Sequence, residues 1–519
     1  MLVQTQNLER YTLTPNQNLQ VYCGLDCCVT LEVFEELQRL RNASPAIYDF
    51  ERALQAPYLD MMQRGFLVDM PGRARATTEL QRRLAHCQEI LDELAVAVWG
   101  RGLNPRSYQQ LQSFFYSAMQ IPPVWIRQKG ERRISCNREA LEKIDEYFYA
   151  RPFVQLILRI RDLAKQLDFF TIGIDYDNRF RTSYNIAGTE TGRPSSSQNA
   201  FGTGGNAQNI APYLRYVLIA DPGMKICVID LEQVEARDVG YFCGCIFDDW
   251  SFLDACESGD LHTNNAKRIW PELPWPGDPA GDRALAERSF YREFTYRDMS
   301  KRGGHLTNYM GTAWTASRTL KIPIPIMTNF QARYCRGGDG ITPAFPVIPR
   351  YWQWTAQQLQ TIGYLTTPFG RTRHFLGRPG DDATLREAIA FLPQSTTADR
   401  MNLGLWRVWK YMPNIQLLAQ THDSITFQYG EWENEDAVIS RALELIRVEL
   451  SSPPNRHGGV RSYVVPGEAK IGWNWANAPT PAQLAKGAHP NPLGLRKWKA
   501  GVADSRVRTT DMLDRAVGT

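Results

Sequence analysis

The 519-residue sequence predicts an α+β fold, and three observations predict it. The first 170 residues read almost wholly as helix. Short β-like stretches follow, the last of them the apolar run KICVID (225–230). Residues 417–430 then alternate in side-chain character on both sides of the pair His422-Asp423, which is the pattern of a β-hairpin with that pair at its tip.

In chain order, TLEVFEELQRLR (30–41) reads as an amphipathic helix. Asp49–Arg64 reads as a second, stopped by Gly65, and Arg73–Trp99 as a long charged helix free of Pro and Gly. Residues 137–170 form a helical pair broken at Pro152. TSYNIAG (182–188), YVLIA (216–220) and KICVID are β-like, with the Gly/Ser-rich loops TGRPSSSQN (191–199) and GTGGNAQN (202–209) among them. Helix returns over 262–330, interrupted by PELPWPGDPAGD (271–282). Residues 384–411 are helical with Pro393 inside, which predicts a kink. A helix over 433–450 follows the hairpin, and no internal repeat is visible.

Hydrophobic residues make up 43% and charged residues 22%, enough apolar content for a large core. No apolar run approaches 18 residues, which argues against a membrane-spanning helix. The start, MLVQTQNLERYTL, lacks a basic segment followed by an apolar one, so the expectation is a cytoplasmic chain without a secretory signal. The ten cysteines contain no CxxC pair, which favours free thiols over zinc or a disulfide framework. Seven basic against three acidic residues beyond Ala485 account for the whole net charge of +4. That Gly- and Pro-rich tail is either a flexible arm that touches phosphates or a solvated disordered end.

Asp230 closes strand KICVID and Asp423 sits at the hairpin tip. Alone, a helix N-cap accounts for the first and a polar turn for the second. Held close, two aspartates repel, and a shared divalent cation resolves the repulsion. Two Mg²⁺ ions bridged by two aspartates are the recurring device for in-line phosphoryl transfer. In RDMSKRGGHLTNYMG (297–311), Arg297, Lys301, His305 and Tyr309 recur every four residues, along one helix face. Such a face is either solvated or a rail offering two cations to a polyphosphate and a flat surface to a base or sugar. Arg193, Gln208 and Asn209 offer donors from the loops over 188–210.

Together these pieces resemble the family A DNA polymerases. DLEQVEAR (230–237) is similar to motif A of that family, RDMSKRGGHLTNYMG to motif B and THDS (421–424) to motif C. TGRPSS (191–196), GDLHT (259–263), MMQRGFLVD (61–69), GLNPRSYQQL (102–111), TPFGRTRH (367–374) and EAKIGWNW (468–475) match further family segments in family order.

The resemblance implies a right-hand fold: an antiparallel palm sheet with helical fingers and thumb. Its expected divisions are a 3′–5′ exonuclease remnant (1–45), thumb and connecting helices (46–185), palm (186–262 and 376–480), fingers (263–375) and a basic, disordered tail (481–519). By similarity, Asp230 and Asp423 would bind two catalytic Mg²⁺ ions. Arg297, Lys301 and His262 would hold the triphosphate of an incoming dNTP, with Gln233 and His305 beside it. Tyr309 would stack at the templating base pair, and Glu235 would lie where a ribose 2′-hydroxyl would go. Arg193, Gln208, Asn209, Arg386, Gln394 and His422 would lie along the primer-template DNA, Arg193 and Gln394 reading minor-groove acceptors common to all base pairs.

Four departures stand out. Ser424 replaces the usual Glu of motif C, and His305 replaces an aromatic residue of motif B. Ala390 stands where many members have Asn, and the stretch around PELPWPGDPAGD lengthens its link by roughly fifteen residues. Substitutions of the His305 kind resemble phage members. VYCGLDCCVTLEVFEEL (21–37) resembles the last exonuclease motif through Tyr22 and Asp26, but no D-x-E motif precedes it. The expectation is therefore a monomeric polymerase without proofreading, the nuclease being a separate polypeptide or lost, and residues 1–45 packing as a stub on the body. A related RNA polymerase and a non-catalytic DNA-binding relative are the alternatives.

Overall fold

The computed structural model describes residues 14–40, 45–128, 131–338, 340–485 and 487–506. Its N-terminal part is helical: α1 (Pro15–Leu40), α2 (Pro45–Arg64), α3 (Met70–Trp99) and α4 (Arg151–Thr171). Gly65 ends α2 at φ +63, where a Cβ would stand 2.6 Å from the Phe180 carbonyl oxygen, so only glycine fits. Asp69 caps α3 by accepting from the Gly72 N–H, and Gly100 closes it in the left-handed conformation. Pro152 lies in the first turn of α4, where its missing N–H costs nothing. Phe153, Val154, Ile157, Ile160, Leu163 and Ala164 give α4 a buried stripe at helical spacing, which packs along α3. The far half of this pair has its own core, with Leu91, Phe114, Phe115, Leu141, Ile144 and Ile157.

The centre is a five-stranded antiparallel sheet of β1 (Met224–Leu231), β2 (Gln416–Thr421), β3 (Ser424–Gly430), β4 (Gly467–Gly472) and β5 (Arg496–Lys497), in the order β2-β3-β1-β4-β5. Cys227, Ile229 and Leu231 join the largest core, while Met224 and Ile226 join a second core on the opposite face. This is the period-two alternation of a strand buried on both sides. β3 is buried along its whole length, so the polar members of the predicted alternation are paired inside rather than solvated. Trp475 Nε1 donates to Thr426 Oγ1 at 3.1 Å, and Gln428 Nε2 donates to Asp221 and Gln416 at 2.8 and 2.7 Å.

The helices α5 (Val234–Phe247), α6 (Leu261–Ile269), α7 (Tyr296–Asn308), α8 (Asp382–Tyr411) and α9 (Glu435–Ile446) complete the body. The hydroxyl of Thr295 and the carboxylate of Asp298 form a capping box at the start of α7. Gly303 lets α7 lie against Phe330, whose ring a Cβ there would approach to 2.7 Å. Met299, Gly303 and Thr307 are thus buried, and Lys301 and His305 stand on the exposed side. Pro393 lies inside α8, which continues through it. The Tyr351 hydroxyl donates to the Ile389 carbonyl at 3.0 Å, the group the missing Pro393 N–H would have bonded.

Several expectations need correction. α1 begins fifteen residues before the predicted helix at 30–41, and its Leu19, Tyr22, Val29, Leu31, Val33 and Leu37 face solvent, so it is not a packed stub. Residues 1–13 and 41–44 of that predicted remnant lie outside the described residues. The strand at 182–188 shrinks to Ser183–Asn185, because the Asn185 side chain accepts from Ala187 N–H and turns the chain. At 216–220 only Leu218–Ile219 is extended, after a 3₁₀ turn over Pro212–Val217. The helix at 433–450 stops at Ile446, and Glu449–Ser451 pairs with Ser462–Val464. The interruption at 271–282 runs into a helix, Pro279–Ala286.

The tail expected to be disordered is a strap as far as residue 506, and 507–519 lie outside the described residues. β5 adds to the sheet edge. Lys225 Nζ lies 2.8 Å from Asp504, and Arg506 donates to the carbonyls of Pro492, Gly494 and Ile471 while stacking over Trp473. All ten cysteines are free thiols, and among the described residues no helix is long and apolar enough to cross a membrane.

Candidate active site

The sheet register brings the two predicted aspartates together. Ser424 pairs with Asp230 across β3 and β1, and the Leu231 N–H donates to the Asp423 carbonyl at 3.0 Å, tying the hairpin tip to the end of β1. The tip is a two-residue turn whose first residue, His422, has φ +48, a conformation His tolerates better than most side chains. Ser424 does not replace the missing acid: its hydroxyl shares a 2.8 Å hydrogen bond with Thr421 and closes the turn.

Asp230 is exposed at the mouth of the site, yet its carboxyl is pushed up to about 6, first by partial exclusion of water and then by the charge of Asp423. Asp423 is also raised, chiefly by burial, against the opposing pull of Arg193. Its Oδ1 is buried without a hydrogen-bond partner, with Arg193 Nη2 at 3.5 Å. Two under-compensated carboxylates side by side fit a divalent cation. Among the described residues no group of three or more metal-ligating side chains gathers, so the remaining ligands would have to come from substrate and water. Glu468 faces Asp230 from β4, but Lys497 at 2.5 Å and Lys470 at 3.6 Å neutralise it.

Glu235, in the first turn of α5, is gripped from two sides. Arg193 forms a very short ion pair with it, and the Tyr309 hydroxyl donates to it at 2.8 Å. Burial pushes the Glu235 carboxyl upward, but Arg193 and Tyr309 outweigh that and hold it below its usual range. Tyr309 follows the end of α7 and meets the His305 ring edge-on at 5.2 Å. Arg193 therefore stands over the acidic centre rather than extended into solvent. Gln233 precedes α5 in the left-handed conformation, φ +54.

Arg297, Lys301 and His305 share one face of α7, as predicted. Arg297 grips Asp260, the residue before α6, with Nε and Nη2 at 3.1 and 3.0 Å. Asp260 lies within GDLHT, and nothing in its sequence spacing assigns it a role. Burial opposes its ionisation, but the arginines hold the carboxyl well below the usual range. His262, the second residue of α6, is pushed down to about 4 by burial and by the Arg297 and Lys301 charges, so it is a neutral imidazole at physiological pH.

Gln208 donates to the Pro194 carbonyl at 3.0 Å and approaches Gln420, which in turn donates to the His422 carbonyl at 2.8 Å. These link the loop of Arg193 to the hairpin tip. Asn209 and His422 are exposed nearby in sequence to these contacts. Arg386 and Gln394 stand on α8, where Arg386 reaches Asp382 of its own helix at 3.9 Å and bonds nothing at the acidic pair. Nine buried side-chain atoms among the described residues lack a hydrogen-bond partner. Four belong to predicted site residues: Arg193 Nε, Gln233 Oε1, His262 Nδ1 and Asp423 Oδ1. Buried polar atoms are rarely left unpaired, and such a concentration marks a place built to receive polar ligand atoms.

The profile of DNA polymerase family A matches residues 74–275. Over 488 residues the chain is 26% identical to DNA polymerase I of Chloroflexus aurantiacus, covering 89% of this chain and 47% of that protein. It is 26% identical over 451 residues to the thermostable DNA polymerase I of Thermus aquaticus, covering 83% and 48%. The chain thus spans about half the length of the curated relatives it matches. The polymerase domain of Pol1 from M. smegmatis, solved with DNA primer-template and dNTP, superposes with a TM-score of 0.65 at 20% identity, over 82% of this chain and 70% of that one. The fold is that of a DNA polymerase domain, and the part of the chain over residues 74–275 is similar to DNA polymerase family A.

Proposed function

We propose that this chain is a template-directed DNA polymerase, adding deoxynucleotides to a primer 3′ end, and that it does so without proofreading. The observation that carries the reading is the register that seats Asp230 beside Asp423, with Asp423 Oδ1 buried and unpartnered. In this reading the sheet and its covering helices are the palm, α6, α7 and the helices up to 375 the fingers, and α3, α4 and the segment between them the thumb.

Asp230 and Asp423 would hold two Mg²⁺ ions, which when bound supply Lewis-acid stabilisation of the charge that develops in phosphoryl transfer. Arg297 and Lys301 present cations to the triphosphate, and neutral His262 offers a hydrogen bond without adding charge. Glu235, fixed by Arg193 and Tyr309, occupies the position expected to exclude a 2′-hydroxyl. Once nucleotide binds, Tyr309 offers a ring face for stacking, while His422, Gln208, Asn209, Arg386 and Gln394 border the primer-template track. Tyr22 and Asp26 stand exposed on α1, and among the described residues no further carboxylates gather with them into a metal-binding group.

The test is extension of a labelled, recessed duplex with dNTPs or rNTPs, with Mg²⁺ or chelator, and a lane without nucleotide. Expected are extension with dNTPs and Mg²⁺ only, and an intact primer without nucleotide. Extension with rNTPs would favour an RNA polymerase, primer shortening would contradict the absence of proofreading, and duplex binding without extension would favour a non-catalytic relative.

A further inference from the structure

The stretch that lengthens the link between α6 and α7 is a built element, not a loose loop. Asp278 caps its helix, Pro279–Ala286, by accepting from the Gly281 N–H at 2.8 Å. Leu285 and Ala286 are buried, and Asp282 binds Lys267 of α6 at 2.7 Å. This docking delivers Arg283 to Asp260. Arg283 Nη1 donates to Asp260 Oδ2 at 2.6 Å, and its Nε is steadied by Glu287 one turn on, also at 2.6 Å.

Asp260 Oδ2 therefore takes three donors: Arg283 at 2.6 Å, the Thr263 hydroxyl at 2.8 Å and Arg297 Nε at 3.1 Å. Oδ1 takes only Arg297 Nη2, at 3.0 Å. A carboxylate offers about two lone-pair sites on each oxygen, so Oδ2 is oversubscribed and the longest of its three bonds is the one most easily given up. That bond belongs to Arg297. If Arg297 left, Asp260 would keep a charged partner and a hydroxyl, and no part-buried carboxylate would be stranded. Without Arg283, departure of Arg297 would leave Asp260 with Thr263 alone.

We infer that Arg283 is a positioning residue for nucleotide binding: it holds Asp260 so that Arg297 can turn from that carboxylate to the triphosphate of the incoming nucleotide. This inference rests on the polymerase reading above. The guanidinium of Arg283 does not itself touch nucleotide. It sets the cost of freeing the group that does, so its removal weakens nucleotide binding and leaves the chemical step nearly untouched.

The experiment compares the full chain with Arg283→Ala and Arg283→Lys, each alone and combined with Asp260→Asn. KM and kcat for one dNTP are measured on a fixed primer-template, and inorganic tripolyphosphate serves as a competing probe. Expected is a rise in KM and in the tripolyphosphate inhibition constant of about tenfold for Arg283→Ala, with kcat nearly unchanged and partial recovery in Arg283→Lys. In the Asp260→Asn background, where no carboxylate restrains Arg297, Arg283→Ala has no further effect. An unchanged KM overturns the inference, and so does an equal rise in both backgrounds, which would mean that Arg283 meets phosphate directly. A wild-type chain that neither extends primers nor binds tripolyphosphate overturns the polymerase reading itself, a result distinct from either.

Discussion

At Asp230 a proton is held that an isolated aspartate would have released. The folded chain keeps it up to about pH 6, whereas the unfolded chain loses it near the ordinary carboxylate value of about 3.9. Between those values folding takes up a proton, so the metal-free protein loses stability as pH rises from about 4 to about 6. Asp230→Asn should lack this loss and, in chelator at pH 7.5, be the more stable by up to about 1 kcal/mol, a small figure because the carboxylate is solvent-screened. Thermal melts across that pH range check this, and an identical profile in the variant would contradict it. Glu235 gives a second residue-scale prediction. Glu235→Ala should reduce discrimination against rNTPs by at least about tenfold, and Tyr309→Phe, which removes the 2.8 Å bond to Glu235, by less. Single-nucleotide incorporation with paired dNTP and rNTP measures both. The aspartates and the α7 cations stood out by residue type and spacing, and Glu235 only through the resemblance of DLEQVEAR to motif A. The grip of Arg193 on Glu235 was not, because residues 42 positions apart meet only through the fold. Asp260 and Glu468 were missed for a similar reason: each lay in a recognised segment, but its partners come from other elements.

Within α8, a helix survives an internal proline because a side chain on a different helix repairs it. Tyr351→Phe should strand the Ile389 carbonyl in a dry environment and cost about 1–3 kcal/mol. Adding Pro393→Ala should recover much of that loss, since the new N–H can bond the same carbonyl. Denaturant unfolding of the single and double variants tests the pair, and additive losses would refute the repair. The sequence showed the proline but not the tyrosine, which approaches from a separate helix. α1 shows the converse. Its apolar periodicity was legible, but periodicity marks a face and does not name a neighbour, and here the face meets solvent. The inserted helix Pro279–Ala286 went unread because its Pro- and Gly-rich start resembles a loop, while its stop at Ala286 is set by packing.

Across the whole molecule, the arm of α3 and α4 and the helical region after α6 have separate cores and are joined at one end through the sheet. At the other end two ion pairs bridge them. Arg318 meets Glu139, and Lys321 meets Glu142 at 2.8 Å. The matched three-residue spacing sets Glu139 and Glu142 of the short helix Arg138–Ile144 against Arg318 and Lys321 at the end of the helix Ala313–Leu320, which follows closely on Tyr309. The chain thereby closes a circuit from sheet to arm to α7 and back. Exposed pairs contribute about 0–1 kcal/mol each and weaken with salt, so the closure is easily opened. Reversing Glu139 and Glu142 to Lys should speed dissociation of primer-template up to about tenfold, and adding Arg318→Glu with Lys321→Glu should restore it. A trap experiment reads the rate, and an unchanged rate would contradict the closure. The α+β class and the order of elements were legible because local periodicity sets them. The circuit and the C-terminal strap were not, since both depend on which surfaces the fold brings into contact.

In the proposed function, the hairpin-tip Asp423 and the strand-end Asp230 form one catalytic metal site. The decisive measurement is primer extension with dNTPs and Mg²⁺, comparing the wild-type chain with Asp423→Ala at matched duplex binding. Expected is extension by the wild type and its loss in the variant, with DNA affinity retained. Extension that survives Asp423→Ala would contradict it.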